Sequence, residues 1–212
     1  MSRRVAADFS TQQNIEPCII VSITDVGSSP NVFADNPNIK AILPLQFDDV
    51  EIGEENCITR DQAQQIIDFV NEHVHDVDHI VVHCEAGVSR SAGVCAALMT
   101  ILTGDDSAIF NKWRYCPNMT CYRYVLEGYF GTYDQDLANL KLAENIRLWR
   151  IHEGLDSEDT SSGERLNDSV ECSHEGLEPE DTPSSDEYKE NETECLPGHS
   201  GSRSCWDSSA TY

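Results

Sequence analysis

The pattern of this chain predicts an α/β fold, with a central, mainly parallel sheet flanked by helices. Short β-branched apolar runs alternate with stretches of helical periodicity, and one of those runs leads directly into a long apolar helix. Composition also changes sharply near residue 152. Residues 1–151 hold 21 acidic and 11 basic side chains, a net of −10, whereas residues 152–212 hold 17 and 3, a net of −14. The second segment is dominated by Ser, Asp, Glu, Thr and Gly, and its apolar residues are isolated. Such a stretch cannot bury enough surface to offset about 1–2 kcal/mol of backbone ordering per residue. The expected organisation is a folded domain over 1–151 and a disordered acidic tail over 152–212.

In order along the domain, residues 17–23 (Pro17-Cys18-Ile19-Ile20-Val21-Ser22-Ile23) form an apolar run of strand length. Residues 39–47 read as a second strand, with Pro44 an unusual occupant of its middle. Thr59 and Gln62 have capping-box spacing, and Ala63, Ile66, Ile67, Val70 and Val74 then recur at helical intervals up to a break at 76–78. His79-Ile80-Val81-Val82-His83 is short, β-branched and apolar, as a buried strand should be. A helix over about 91–102 ends at Gly104. Further helices are expected over 106–114, after Pro117-Asn118 through 122–128, and over 134–150, the last with Leu137, Leu140, Leu142, Ile146, Leu148 and Trp149 as apolar candidates.

The net charge of −24 argues against nucleic-acid or anionic-membrane partners, which need clustered Lys and Arg. No run of about eighteen apolar residues exists, so no segment is expected to span a membrane. The stretch after Met1-Ser2-Arg3-Arg4 is broken by Asp8, Gln12, Gln13 and Glu16, so no secretory signal is expected. The nine cysteines are scattered and odd in number, which suits reduced thiols in a cytoplasmic protein, with nuclear entry left open. Cys18, Cys95 and Cys121 read as apolar core filler. His73, His75 and His79 lack metal-ligand spacing, and neither a metal nor another cofactor is expected.

Chemistry is concentrated between the third strand and the helix after it, in His83-Cys84-Glu85-Ala86-Gly87-Val88-Ser89-Arg90-Ser91. Small residues at 86, 87 and 89 let the loop curl, so that the backbone N–H groups of Glu85, Ala86, Gly87, Val88, Ser89 and Arg90 can point at one centre and form an anion nest. The following helix adds free N–H groups and its positive dipole end. A phosphate dianion is the natural occupant. A free thiol is mostly protonated at neutral pH, and the N–H groups that bind a dianion also stabilise a thiolate. Cys84 is thus the candidate nucleophile. Arg90 can grip two phosphate oxygens with its planar fork, which Lys could not reproduce. Ser91 can place a hydroxyl near the sulfur.

His-Cys, five residues, Arg, Ser is the signature of the cysteine-dependent phosphatases, and this stretch resembles their dual-specificity branch, where the loop reads His-Cys-x-Ala-Gly-x-Ser-Arg-Ser. The resemblance covers roughly residues 17–130; Tyr115-Cys116-Pro117-Asn118 before an apolar helix is also similar to that branch. It implies a dual-specificity-phosphatase-like fold and a phosphocysteine intermediate. It also implies a general acid after the second strand, where Asp48 and Asp49 compete. Leu43, Leu45 and Phe47 alternate toward one face and Asp49 continues that register, which favours Asp49. In the family pattern His83 fixes the loop and tunes the thiolate; packing alone is its rival role.

Glu85 and Val88 stand where phosphoinositide-directed relatives tend to carry lysines, and the inserted loop of the tyrosine-specific branch is missing. The expected activity is hydrolysis of phosphotyrosine, phosphoserine and phosphothreonine in protein substrates. Two rivals stand beside it: a catalytically weak phosphoprotein-binding module, and an RNA 5′-phosphatase, which the net charge opposes.

Overall fold

The computed structural model describes residues 1–155. Apart from residues 152–155, the expected tail lies outside the described residues.

Three parallel strands form the sheet, β1 (Cys18–Thr24), β2 (Ile39–Gln46) and β3 (His79–His83), in the order β2-β1-β3. Among the described residues six helices flank it: α1 (Arg3–Ser10), α2 (Arg60–His73), α3 (Arg90–Thr103), α4 (Ser107–Phe110), α5 (Met119–Phe130) and α6 (Gln135–His152). The α/β architecture read from the sequence is the architecture found. Central β1 is buried along its whole length, which is why it reads as a continuous apolar run. Its period of two sorts the core into two layers. Ile19, Val21 and Ile23 join the larger cluster, with Ile66 and Val70 of α2, Val94 and Leu98 of α3, and Val125 of α5. Cys18 and Ile20 join a smaller cluster with Ile15 and Val81, against which Phe9 of α1 and Phe33 pack. Each fully buried isoleucine contributes about 1.5–3 kcal/mol relative to an exposed one.

Pro44 does not interrupt β2. It pairs in register with Ser22, and it lies on an edge strand, where a residue without an N–H is tolerated. The Thr59–Gln62 capping box starts α2 as the spacing predicts. Gly93 lets α3 approach the next turn closely, since a Cβ there would stand 2.3 Å from the Asn118 carbonyl oxygen.

Three elements differ from expectation. Helix α1 was not legible, because its eight residues bury little beyond Ala6 and Ser10, and it is capped by Ser2, whose Oγ accepts from Val5 N–H at 3.4 Å. The helix expected over 106–114 stops at Phe110. Asn145 Nδ2 of α6 donates to the Phe110 and Lys112 carbonyls at 3.0 and 3.2 Å, and Trp113 turns out to stack on His152 with ring centroids 3.4 Å apart. In α6, Leu137, Leu140 and Trp149 are exposed, whereas the buried residues are Ala138 and Asn145, seven apart on one face. Ala138, the Asn145 clamp on two carbonyls and the Lys141–Asp106 ion pair hold the helix, with Leu142, Ile146 and Leu148 half-buried.

Candidate active site

In a parallel sheet with flanking helices, the C-terminal strand ends form the crevice where ligands bind. Asp25 follows β1 there, Phe47 to Asp49 follow β2, and Cys84 follows β3. The loop from Cys84 curls back on itself, with Gly87 in the left-handed region at φ +78°. Gly87 N–H consequently donates to Cys84 Sγ at 3.3 Å, and Ser91 Oγ lies 3.2 Å from the same sulfur. Both contacts would stabilise a thiolate.

Ser89 occupies the N-cap position of α3 but makes no side-chain capping bond. Its hydroxyl instead donates to Asp49 Oδ1 at 2.8 Å. The N–H groups of the first turn of α3 are therefore left without a side-chain cap, as an anion site requires. The turn over Tyr115–Asn118 backs the loop, with Cys116 N–H donating to the Val88 carbonyl and Asn118 N–H to the Ser89 carbonyl, each at 3.2 Å.

Arg90 is buried at 4% exposure. One arm, Nη1, donates to the Phe47 carbonyl at 2.6 Å and lies 2.6 Å from Asp25 Oδ1. Asp49 Oδ2 is 4.0 Å from Nε, and that buried Nε–H has no hydrogen-bond partner among the described residues. A buried cationic donor in that state suits an anion.

The two candidate acids separate clearly in their surroundings. Asp49 faces the loop, where Asn118 Nδ2 joins Ser89 in donating to Oδ1, at 2.9 Å. Asp48 is taken up by neighbouring loops, accepting from Val26 N–H at 2.9 Å and from Asn56 Nδ2 at 3.0 Å. The alternation carried by buried Leu45 and Phe47 brings Asp49, not Asp48, beside Arg90.

His83 is fully buried at the end of β3, and its Nε2 lies 2.8 Å from Ser22 Oγ. Burial lowers its pKa to about 4; a backbone interaction at Cys84 opposes this, and the Met1 ammonium and the Arg3 charge lower it further. The ring is neutral at physiological pH and braces β3 against β1 immediately before Cys84.

Reading the sequence missed three participants. Asp25 holds the Arg90 fork; its signal is an acidic residue directly at the C-terminal end of a strand. Asn118 caps α5 through Cys121 N–H at 2.9 Å while its amide holds Asp49, so one side chain joins two loops. Arg3, from the N-terminal segment, pairs with Glu85 at 2.8 Å. A groove of about 760 Å³ lies over β1 and β2, lined by Thr24, Phe33, Ile42 and Pro44 among others, and it includes no residue of the 83–91 loop.

Residues 55–120 match the family model described as the Rit1 DUSP-like domain. A mouse protein, dual specificity protein phosphatase 2, is 31% identical over 91 residues, which cover 42% of this chain and 26% of that one. The chain thus spans about a quarter of the length of that curated relative. A mouse putative dual specificity phosphatase, crystallised with zinc tungstate, is 16% identical, with 72% of this chain and 83% of that one covered and a TM-score of 0.36. Human DUSP28 is 14% identical over 74% of this chain and 93% of that one, also at a TM-score of 0.36. The similarity to the Rit1 DUSP-like domain thus spans α2, β3, the 83–91 loop and α3, the elements that carry the candidate site.

Proposed function

We propose that this protein hydrolyses phosphate monoesters on protein side chains, phosphotyrosine together with phosphoserine and phosphothreonine, through a phosphocysteine at Cys84. The observation that carries the reading is one constellation: Cys84 Sγ held by Gly87 N–H and Ser91 Oγ, in a loop that closes on the buried, partly unpartnered guanidinium of Arg90.

In the first step Cys84 Sγ attacks phosphorus as a thiolate. The P–S bond forms while the bond from phosphorus to the side-chain oxygen breaks, and Asp49 gives its proton to that leaving oxygen. Water then attacks phosphorus as Asp49 takes a proton back; the P–S bond breaks, releasing inorganic phosphate and restoring the thiolate. Backbone N–H groups of residues 85–90 and the Arg90 guanidinium hold the equatorial oxygens throughout.

The acidic side chains around the loop support a protein substrate over a polyanionic lipid head group or RNA. Asp25 and Asp49 have side-chain exposures of 47% and 37%. Such a rim tolerates a single dianion held by the loop and repels further phosphates nearby.

A second reading, a phosphoprotein-binding module, is favoured by the 1% exposure of Cys84. Initial rates on a phosphotyrosine peptide decide between them. The enzyme reading predicts measurable turnover in the wild type and a loss of roughly a thousandfold or more in Cys84→Ser, with peptide binding retained. Binding without turnover in the wild type would establish the module.

A further inference from the structure

The segment Met1–Arg3 runs alongside the start of the phosphate loop. Ser2 forms a parallel bridge with Cys84, Cys84 N–H donates to the Met1 carbonyl at 3.3 Å, and Arg3 N–H donates to the Glu85 carbonyl at 3.1 Å. The strap also touches the tightest point of the loop. A Cβ at Gly87 would stand 2.3 Å from Ser2 N and 2.4 Å from the Met1 carbonyl carbon. Arg3 then holds Glu85 a second time, its Nη1 donating to Glu85 Oε1 at 2.8 Å while Nη2 donates to the Ser29 carbonyl at 2.7 Å. Its own carbonyl accepts from Asn31 Nδ2 at 3.3 Å.

Glu85 is an awkward residue in this place. A carboxylate next to the nucleophile, in a loop whose work is to receive a dianion, opposes that dianion by Coulomb repulsion. An Arg within hydrogen-bonding distance cancels the charge and fixes the side chain in one direction. The pair is partly shielded, with side-chain exposures of 29% for Arg3 and 32% for Glu85, so solvent weakens it without removing it. The main-chain N–H of Arg3 holds the Glu85 carbonyl while its guanidinium holds the carboxylate, so the side chain fixes the direction of Glu85 on a backbone already anchored.

We infer that Arg3 is a positioning residue of the phosphate site, neutralising Glu85 and fixing its direction so that the loop accepts a tetrahedral dianion. This rests on the phosphatase reading above and extends it to a segment outside the motif.

The test is calorimetric titration of the full chain with inorganic tungstate, a phosphate-shaped dianion, with kcat and KM on a phosphotyrosine peptide measured alongside. Arg3→Ala should weaken tungstate binding by about tenfold, the order expected when a charge-assisted bond is lost. Adding Glu85→Gln to Arg3→Ala should recover most of that loss, because the repelling charge is gone. Arg3→Lys, which keeps the charge but loses the second arm on the Ser29 carbonyl, should fall between wild type and Arg3→Ala. Unchanged tungstate affinity in Arg3→Ala overturns the inference. So does a loss that Glu85→Gln does not relieve, since that marks a purely architectural arginine. Wild-type protein that binds tungstate with this pattern but turns over no phosphopeptide would remove the proposed function and leave the role of Arg3 standing. Wild-type protein that does not bind tungstate removes both.

Discussion

The Ser89 hydroxyl donates to Asp49 Oδ1 at 2.8 Å, joining residues forty apart in sequence. The residue just before Arg90 thereby orients Asp49, and Asn118 Nδ2 donates to the same oxygen at 2.9 Å. The proposed mechanism gives leaving-group protonation to Asp49. Asp49→Asn should lower turnover of phosphotyrosine by about 10²–10⁴-fold. It should affect far less an aryl phosphate whose leaving group is already acidic. Asp48→Asn should cost stability through the loops at Val26 and Asn56 without that leaving-group signature. The reverse pattern in the two variants would move the acid to Asp48.

Gly87 and Gly27 share a φ of +78° but differ in surroundings. Nothing lies within 4 Å of a Cβ at Gly27, whereas at Gly87 it would collide with the backbone of Met1 and Ser2. Gly27→Ala should therefore cost only the left-handed strain, about 1–2 kcal/mol, with activity preserved. Gly87→Ala should destabilise more and abolish oxyanion binding. Urea denaturation and tungstate titration of both variants check this; equal effects would mean that the contact with the N-terminal strap is inconsequential.

Buried His83 gives stability a defined pH dependence. Its pKa is about 4 in the folded protein and near 6.5 unfolded, so between those values the unfolded chain binds the extra proton. The contribution is fully present above about pH 6.5. It is lost progressively as pH falls toward about 4, for up to about 3 kcal/mol in all. Unfolding free energies of wild type and His83→Asn, measured between pH 4 and 7, should show a gap that narrows on acidification. A gap independent of pH would contradict the neutral, buried assignment.

Much of this was legible in the sequence because local and tertiary demands agreed. Thr59 and Gln62 specify a cap in any context, the β-branched run at 79–83 suits only a buried strand, and the filling of the 83–91 loop combines small residues with an arginine at a fixed distance. What escaped depended on distant partners. Arg3 gains its meaning from Glu85 and Asp25 from Arg90, and no periodicity links such pairs. Leu137, Leu140 and Trp149 of α6 misled for a related reason: an amphipathic count identifies apolar residues, but the fully buried contacts come from Ala138 and from the amide of Asn145 on two carbonyls.

Asp106 offers a stability test away from the chemistry. Its buried carboxylate accepts from Thr100 Oγ1 at 2.9 Å, Tyr122 OH at 2.7 Å and Lys141 Nζ at 2.5 Å, joining α3, α5 and α6. Burial alone would raise its pKa, but these donors and the Lys141 charge together hold it below the ordinary carboxylate value. Asp106→Ala leaves three donors without their acceptor and should cost about 2–4 kcal/mol. Denaturation midpoints measure the loss, while the turnover number of the folded fraction should match wild type.

The central claim is that phosphate passes through Cys84, and trapping the intermediate tests it most directly. Full-length protein mixed with a ³²P-labelled phosphotyrosine peptide and quenched in acid within milliseconds should retain label, which peptide mapping by mass spectrometry should place on Cys84 Sγ. Cys84→Ser treated identically should retain none. Steady hydrolysis by the wild type with no trapped label, or with label on another residue, would contradict the account.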